Sequence, residues 1–306
     1  MPTAEETVDI TSLSKQLKKE QRILRRKRIL TNYPLVVGSV LFILLVFIAL
    51  IGPIVISVDP NSMSVKDRLL GLSAVHPFGT DEFGRDVLAR LIYGARVSLL
   101  VGLVVAVFSS VFGLIIGLYA SYYKLLDHIL MRICDGLIAI PGILLAIALM
   151  AALGGSALNV IIALTIVFTP SIARTVRSAA LVIREQTYIE ALQAQGASDS
   201  RIIWLHIAPN VLSPLLVQAT FIFAEAIISE AALSFLGAGI PAPEPSWGNM
   251  LQAGKLVIYK AWWMVVFPGA CIFISVLSLN LLGDGLRDFL DPRLKQKPKR
   301  WSFKKS

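Results

Sequence analysis

Two carboxylates sit where a carboxylate is costly. Glu225 and Glu230 fall inside the apolar run Val211–Leu236. A charge at mid-bilayer costs about 2.5–3.5 kcal/mol on insertion scales, so each must face protein or water. Five residues separate them, which sets them about 140° apart on a helix and off any one narrow face. Glu230, nearer the end of the run, is expected at an outer gate or against a partner chain. Glu225, deeper, is expected either to line a solute path, meeting an amino group or a partner arginine, or to be a paired structural carboxylate between helices.

Other chemistry is not spelled out. His76, His128 and His206 are dispersed and lack paired-ligand spacing, so no metal site is expected. Gly254-Lys255 is followed by Leu256 and lacks the glycine five residues before Gly254, so it is not a phosphate-binding loop. No serine, cysteine and histidine cluster marks a nucleophile. Cys134 and Cys271 lie in apolar runs and read as small buried hydrophobes. The chain is expected to be no enzyme and to bind no cofactor itself.

The elements that carry these residues follow from hydropathy. The chain is 56% hydrophobic and 16% charged, where a soluble domain would be near a quarter charged. Six runs are long and apolar enough to cross a bilayer: Leu35–Ile56, Val97–Ala120, Ile133–Leu153, Leu158–Ala173, Val211–Leu236 and Trp262–Gly283. The expected fold is an all-α membrane protein of six spans. Of the 29 Lys and Arg, 22 fall on the side that holds both termini, which places that side in the cytoplasm. The first run begins after 34 polar residues and is long enough to span, unlike a cleavable signal peptide. The +9 charge lies largely in juxtamembrane segments such as Arg25-Arg26-Lys27-Arg28 and Lys295 to Lys305. Orientation and anionic lipid explain it there, rather than nucleic acid.

The divisions expected are a cytoplasmic tail at 1–34, a first span at 35–56, an extracytoplasmic segment at 57–96, a core of five helices at 97–283 and a basic cytoplasmic tail at 284–306. In the outer segment, Thr80 or Asp81 is expected to cap an interfacial amphipathic helix that leads into span two, with Asp81/Arg85 and Asp86/Arg90 as i,i+4 pairs. Gly113 and Gly117 form a small-xxx-small pattern suited to close helix packing.

The interruption Arg174 to His206 is too long for a tight turn and too short for a domain. It reads as two short helices with an elbow at Gly196, lying flat beneath the membrane. Tyr188, Ile189 and Leu192 share a stripe, and Ala191 and Ala194 are small enough for a partner to approach. Gly196 ends the first helix in the left-handed conformation. Ser198 or Asp199 caps the second, which carries Ile202, Ile203 and Leu205, and Pro209 opens span five. The pattern alone fits an ordinary interfacial loop equally well.

Three segments carry a resemblance. Glu190-Ala191-Leu192, Gly196 and His206-Ile207-Ala208-Pro209-Asn210 resemble the EAA loop of ABC importer permeases, with Leu192 in place of an alanine and Ala208 in place of a leucine. The stretch from His76-Pro-Phe-Gly-Thr-Asp-Glu-Phe-Gly-Arg-Asp to Ser98-Leu99 resembles the dipeptide/oligopeptide/nickel permeases, in particular their second, shorter permease. So does Ser229-Glu230-Ala231-Ala232-Leu233-Ser234-Phe235-Leu236-Gly237, followed by Pro245-Ser246-Trp247-Gly248-Asn249-Met250-Leu251. The resemblance covers roughly residues 35–292. It implies a type I (MetI-like) importer transmembrane domain in a bacterial inner membrane, beside a second homologous permease. Two cytoplasmic ATPases, using ATP and Mg, would bind below and an extracytoplasmic solute-binding protein above. The ATPases would dock on Tyr188, Glu190, Ala191, Leu192, Ala194, Gly196, Ala197, Ile202 and Pro209. Dipeptide, longer peptide, glutathione and nickel-chelate importers share these motifs. A self-sufficient secondary carrier is the reading from a different class, and the long cytoplasmic loop speaks against it.

Overall fold

A computed structural model describes residues 30–56 and 58–290. The tail expectations before and after those residues lie outside it. Among the described residues there is no strand, only a single bridge between Thr80 and Asp86. The helices are α1 (Tyr33–Val55), α2 (Val87–Tyr122), α3 (Lys124–Ala139), α4 (Gly142–Leu153), α5 (Ala157–Arg184), α6 (Thr187–Ala194), α7 (Asp199–Phe235), α8 (Trp247–Leu256) and α9 (Trp263–Leu290).

Five of these, α1, α2, α5, α7 and α9, are each long and apolar enough to cross a membrane. The sixth expected span is a broken one. Hydropathy is continuous through Ile133–Leu153, yet α3 and α4 meet at a 94° bend. Pro141 is the cause: it has no N–H to continue the ladder, and it drives the preceding Ile140 into extended backbone at φ −90°, ψ 129°. Pro170, inside α5, breaks nothing, because the helix runs on to Arg184. The first third of the expected loop is therefore the end of a span.

α2 is the spine of the bundle, packed along α5, α7, α1 and α3. Its approach to α5 requires glycine. A Cβ on Gly113 would stand 2.6 Å from Ile172, and one on Gly117 would stand 2.6 Å from the Ala173 carbonyl oxygen. α1 and α9 lie side by side, and the Asn32 side chain donates to the Gly285 carbonyl at 2.9 Å.

In the 58–86 segment the turn through Gly79–Asp81 and Gly84–Asp86 is buried, and no amphipathic α-helix precedes Val87. Asp86, not Thr80 or Asp81, caps α2, accepting from the Ala89 amide at 2.8 Å while its other oxygen holds His76 Nδ1 at 2.8 Å. Asp81 is 3% exposed and takes the Arg85 side chain at 2.6 Å, with Arg90 at 3.7 Å. Arg90 thus pairs with Asp81 and not with Asp86. Val87, Leu91 and Ile92 are buried rather than spread on lipid. In this turn, burial raises the Glu82 carboxyl above its ordinary range, and the neighbouring Asp81 charge adds to the shift.

Candidate functional site

The elbow forms where α5 gives out. α6 has eight residues and ends at Gly196, whose φ of +77° lies in the left-handed region. The Gly196 amide donates to the Gln193 carbonyl at 2.9 Å, and the Ala197 amide donates to the Leu192 carbonyl at 3.0 Å. This pair of bonds is a Schellman cap, which satisfies carbonyls the helix end leaves open. Glycine takes the φ without the strain a Cβ brings.

The expected second short helix is not separate. Asp199 to Phe235 is one helix, with a widened π turn through Ile202–Ile207. Pro209 has no N–H to return to Leu205, and the amide of Ala208 reaches back five residues to Ile203. The elbow is thus a short helix α6 standing on the start of α7.

Burial divides the expected docking residues into two groups. Tyr188, Glu190, Ala191, Ala194, Gly196 and Pro209 are exposed, and Leu192 and Ala197 are half-buried. Ile202 is fully buried, as are Ile189 and Ile203, so the expectation that Ile202 presents a docking surface is corrected: it anchors the elbow to the bundle. Ile189 and Leu192 turn inward, and the outward stripe is Tyr188, Ala191 and Ala194 with Glu190 beside it. Both Ile and Leu are apolar enough to serve either face, which is why the pattern alone did not separate them.

The elbow is fastened to α2 by a residue read only as a cap. Asp199 accepts hydrogen bonds from the Tyr122 hydroxyl at 2.8 Å and the Tyr123 hydroxyl at 3.0 Å. That bond to Asp199 raises the Tyr123 phenol above its ordinary value. The Arg184 guanidinium donates to the Ser121 carbonyl at 2.8 Å and lies over the Tyr122 ring. Nearby, Arg177 grips Asp127 with two bonds of 2.5 and 2.7 Å, and Arg174 meets Asp135 at 2.7 Å, tying α3 to α5.

The two carboxylates of α7 part company. Glu230 is fully buried inside this chain, where one oxygen accepts from Ser98 on α2 and the other from Ser234, each at 2.9 Å. It therefore does not lie on a partner-facing surface. The Trp247 amide donates to the same Ser98 hydroxyl at 3.3 Å, and the Trp247 indole donates to the Leu91 carbonyl at 3.1 Å, which draws α8 into the cluster. Ser98 and Ser234 were legible only as parts of the quoted motifs. Glu225 is exposed on the opposite flank of α7, with no hydrogen bond or ion pair among the described residues. No group of three or more His, Cys, Asp or Glu among the described residues could hold a metal ion.

The family described as "Binding-protein-dependent transport system inner membrane component" matches residues 109–296. The dipeptide transport system permease protein DppC of Escherichia coli (strain K12) is 45% identical over 273 residues, which is 87% of this chain and 91% of that protein. The dipeptide permease DppC of Alkalihalophilus pseudofirmus is 45% identical over 270 residues, 88% of this chain and 89% of its own. Among solved structures, an inward-facing form of the MetNI methionine ABC transporter aligns with a TM-score of 0.56 at 22% identity. It covers 66% of this chain and 97% of the other, a likeness of fold. The chain therefore belongs to the family of binding-protein-dependent transport system inner membrane components, as the multi-pass permease subunit of an ABC importer.

Proposed function

We propose that this permease carries short peptides inward, pairing with a second, homologous permease and taking its drive from two ATPases that dock on the α6 elbow. The observation that carries the docking is the division of α6. One face, through Ile189, is locked into the bundle, and the other offers Tyr188, Glu190, Ala191 and Ala194 to a partner. Small residues on that face let a partner's backbone come close, and the Schellman cap at Gly196 holds the helix at a set angle. The peptide substrate is supported by relatives named as dipeptide permeases at 45% identity over most of both chains.

In this reading ATP and Mg are used by the ATPases, and the chain itself works as a conduit. A solute-binding protein delivers peptide on the side of the 58–86 segment, and the distribution of basic residues supports both termini lying in the cytoplasm. Buried Glu230 holds α2, α7 and α8 together at the outer end, while Glu225 faces the path.

The test is ATP-driven uptake of a labelled dipeptide into proteoliposomes holding both permeases, the ATPases and the binding protein. Uptake that needs ATP, the binding protein and this chain supports the reading. Uptake by this chain alone, without ATPases, overturns it in favour of a self-sufficient carrier.

A further inference from the structure

A cleft of about 480 Å³ opens between α5, α7 and α9. That volume lies in the range of small-molecule sites. It is lined by Thr175, Ser213, Val217, Gln218, Phe221 and Arg287, among others. Thr175 already donates to the Ser171 carbonyl. Ser213, Gln218 and Arg287 have no hydrogen bond or ion pair among the described residues. A hydroxyl, an amide and a guanidinium thus converge on one space, and among the described residues that line it the one charge is positive. Ser213 and Gln218 are half-buried and Arg287 is exposed, so these donors are open to water or a ligand in the cleft. The arginine fork matches the two oxygens of a carboxylate.

Gln218, Phe221 and Glu225 share one face of α7 at spacings of three and four residues. Phe221 lines the cleft, and Glu225 stands one turn beyond it, about 10 Å along the axis from Gln218. Arg287 of α9 thus lines the cleft together with Gln218 and Phe221, and the negative Glu225 lies beyond it on the same face of α7. A zwitterionic chain has the complementary arrangement.

We infer that the cleft is an oxyanion site on the transport path, in which Arg287, Gln218 and Ser213 take the terminal carboxylate of a short peptide while its amino end points toward Glu225. The inference rests on the peptide-import reading and adds a substrate contact to this chain. A lipid headgroup phosphate is the other source of the same chemistry.

The experiment uses the whole transporter complex in nanodiscs, with Cys134 and Cys271 replaced by alanine and Val217→Cys as the reporter in the cleft. The rate of maleimide labelling is read against added alanylalanine or its C-terminal amide, in neutral lipid and with anionic lipid added. The expected result is protection by alanylalanine and about tenfold weaker protection by the amide, the size of one lost charge-assisted bond. Arg287→Gln should remove that difference and Arg287→Lys should keep much of it. Equal protection by both peptides, or protection by neither, overturns the inference. Protection that follows anionic lipid instead of peptide assigns the cleft to headgroups and also overturns it. ATP-driven uptake of alanylalanine by the same complex is measured alongside. Its absence, with carboxylate-dependent protection intact, would sink peptide import and leave the site standing.

Discussion

Ser98 and Glu230, 132 positions apart, meet at 2.9 Å in the fully buried seam between α2 and α7. The bond joins two spans, and Ser234 occupies the carboxylate's other oxygen. Removing Glu230 as alanine leaves two buried hydroxyls without an acceptor and a void beside Trp247. The expected cost is about 2–4 kcal/mol. Glu230→Gln keeps the shape and an acceptor, so it should lose far less. Thermal unfolding of the purified complex in detergent measures both.

At the other end of α2, Asp199 receives the hydroxyls of Tyr122 and Tyr123. Asp199→Ala frees the start of α7 from the end of α2 without opening a core cavity, because the site is exposed. Assembly should survive, and uptake per ATP hydrolysed should fall several-fold, on the scale of one or two hydrogen bonds. Tyr122→Phe alone should give a smaller loss. The ratio of peptide moved to ATP consumed in proteoliposomes is the readout.

Glu225 has no partner within the described residues and faces outward from α7. Its replacement by glutamine should leave assembly and thermal stability unchanged. Uptake of peptides with a free amino end should drop about tenfold, the worth of one charge-assisted contact, and N-acetylated peptides should be affected less. Unchanged uptake of the free-amine peptides would assign Glu225 a structural role.

Gly117 is where α2 touches the backbone of α5. Gly117→Val puts branched carbons against the Ala173 carbonyl and the Val176 side chain. Overpacking of this kind costs about 1–3 kcal/mol. The midpoint of thermal unfolding should fall, whereas Gly136→Ala, with open space around its Cβ position, should leave it nearly unmoved.

Much of this architecture is legible in the sequence, and the rest has physical reasons for being hidden. Hydropathy locates α1, α2, α5, α7 and α9, because a span needs a continuous apolar run whatever it packs against. The same measure is blind to the Pro141 break, since α3 and α4 are apolar on both sides of a bend that only backbone geometry creates. In the loop, the Gly196 turn was readable from glycine's freedom at positive φ. The inward direction of Ile202 was not, because an isoleucine fits a core or a docking face equally well. The pairing of Asp81 with both Arg85 and Arg90 displaced the expected helix start to Asp86, a choice made by three-dimensional packing among charges. Likewise, spacing sets Glu225 and Glu230 on different faces, yet which face is buried depends on Ser98, over a hundred residues away.

The most direct test of the account is affinity purification of the tagged chain from its native membrane, as wild type and as Gly196→Pro, with mass spectrometry of what accompanies it. Proline cannot take a φ of +77° and removes the amide that bonds Gln193, so the elbow must open while the spans remain. The account predicts that two ATPases and a second permease accompany the wild type, and that the ATPases are lost from the variant while the second permease stays. A wild type that comes away without any ATPase, or a variant that keeps its full complement, would contradict it.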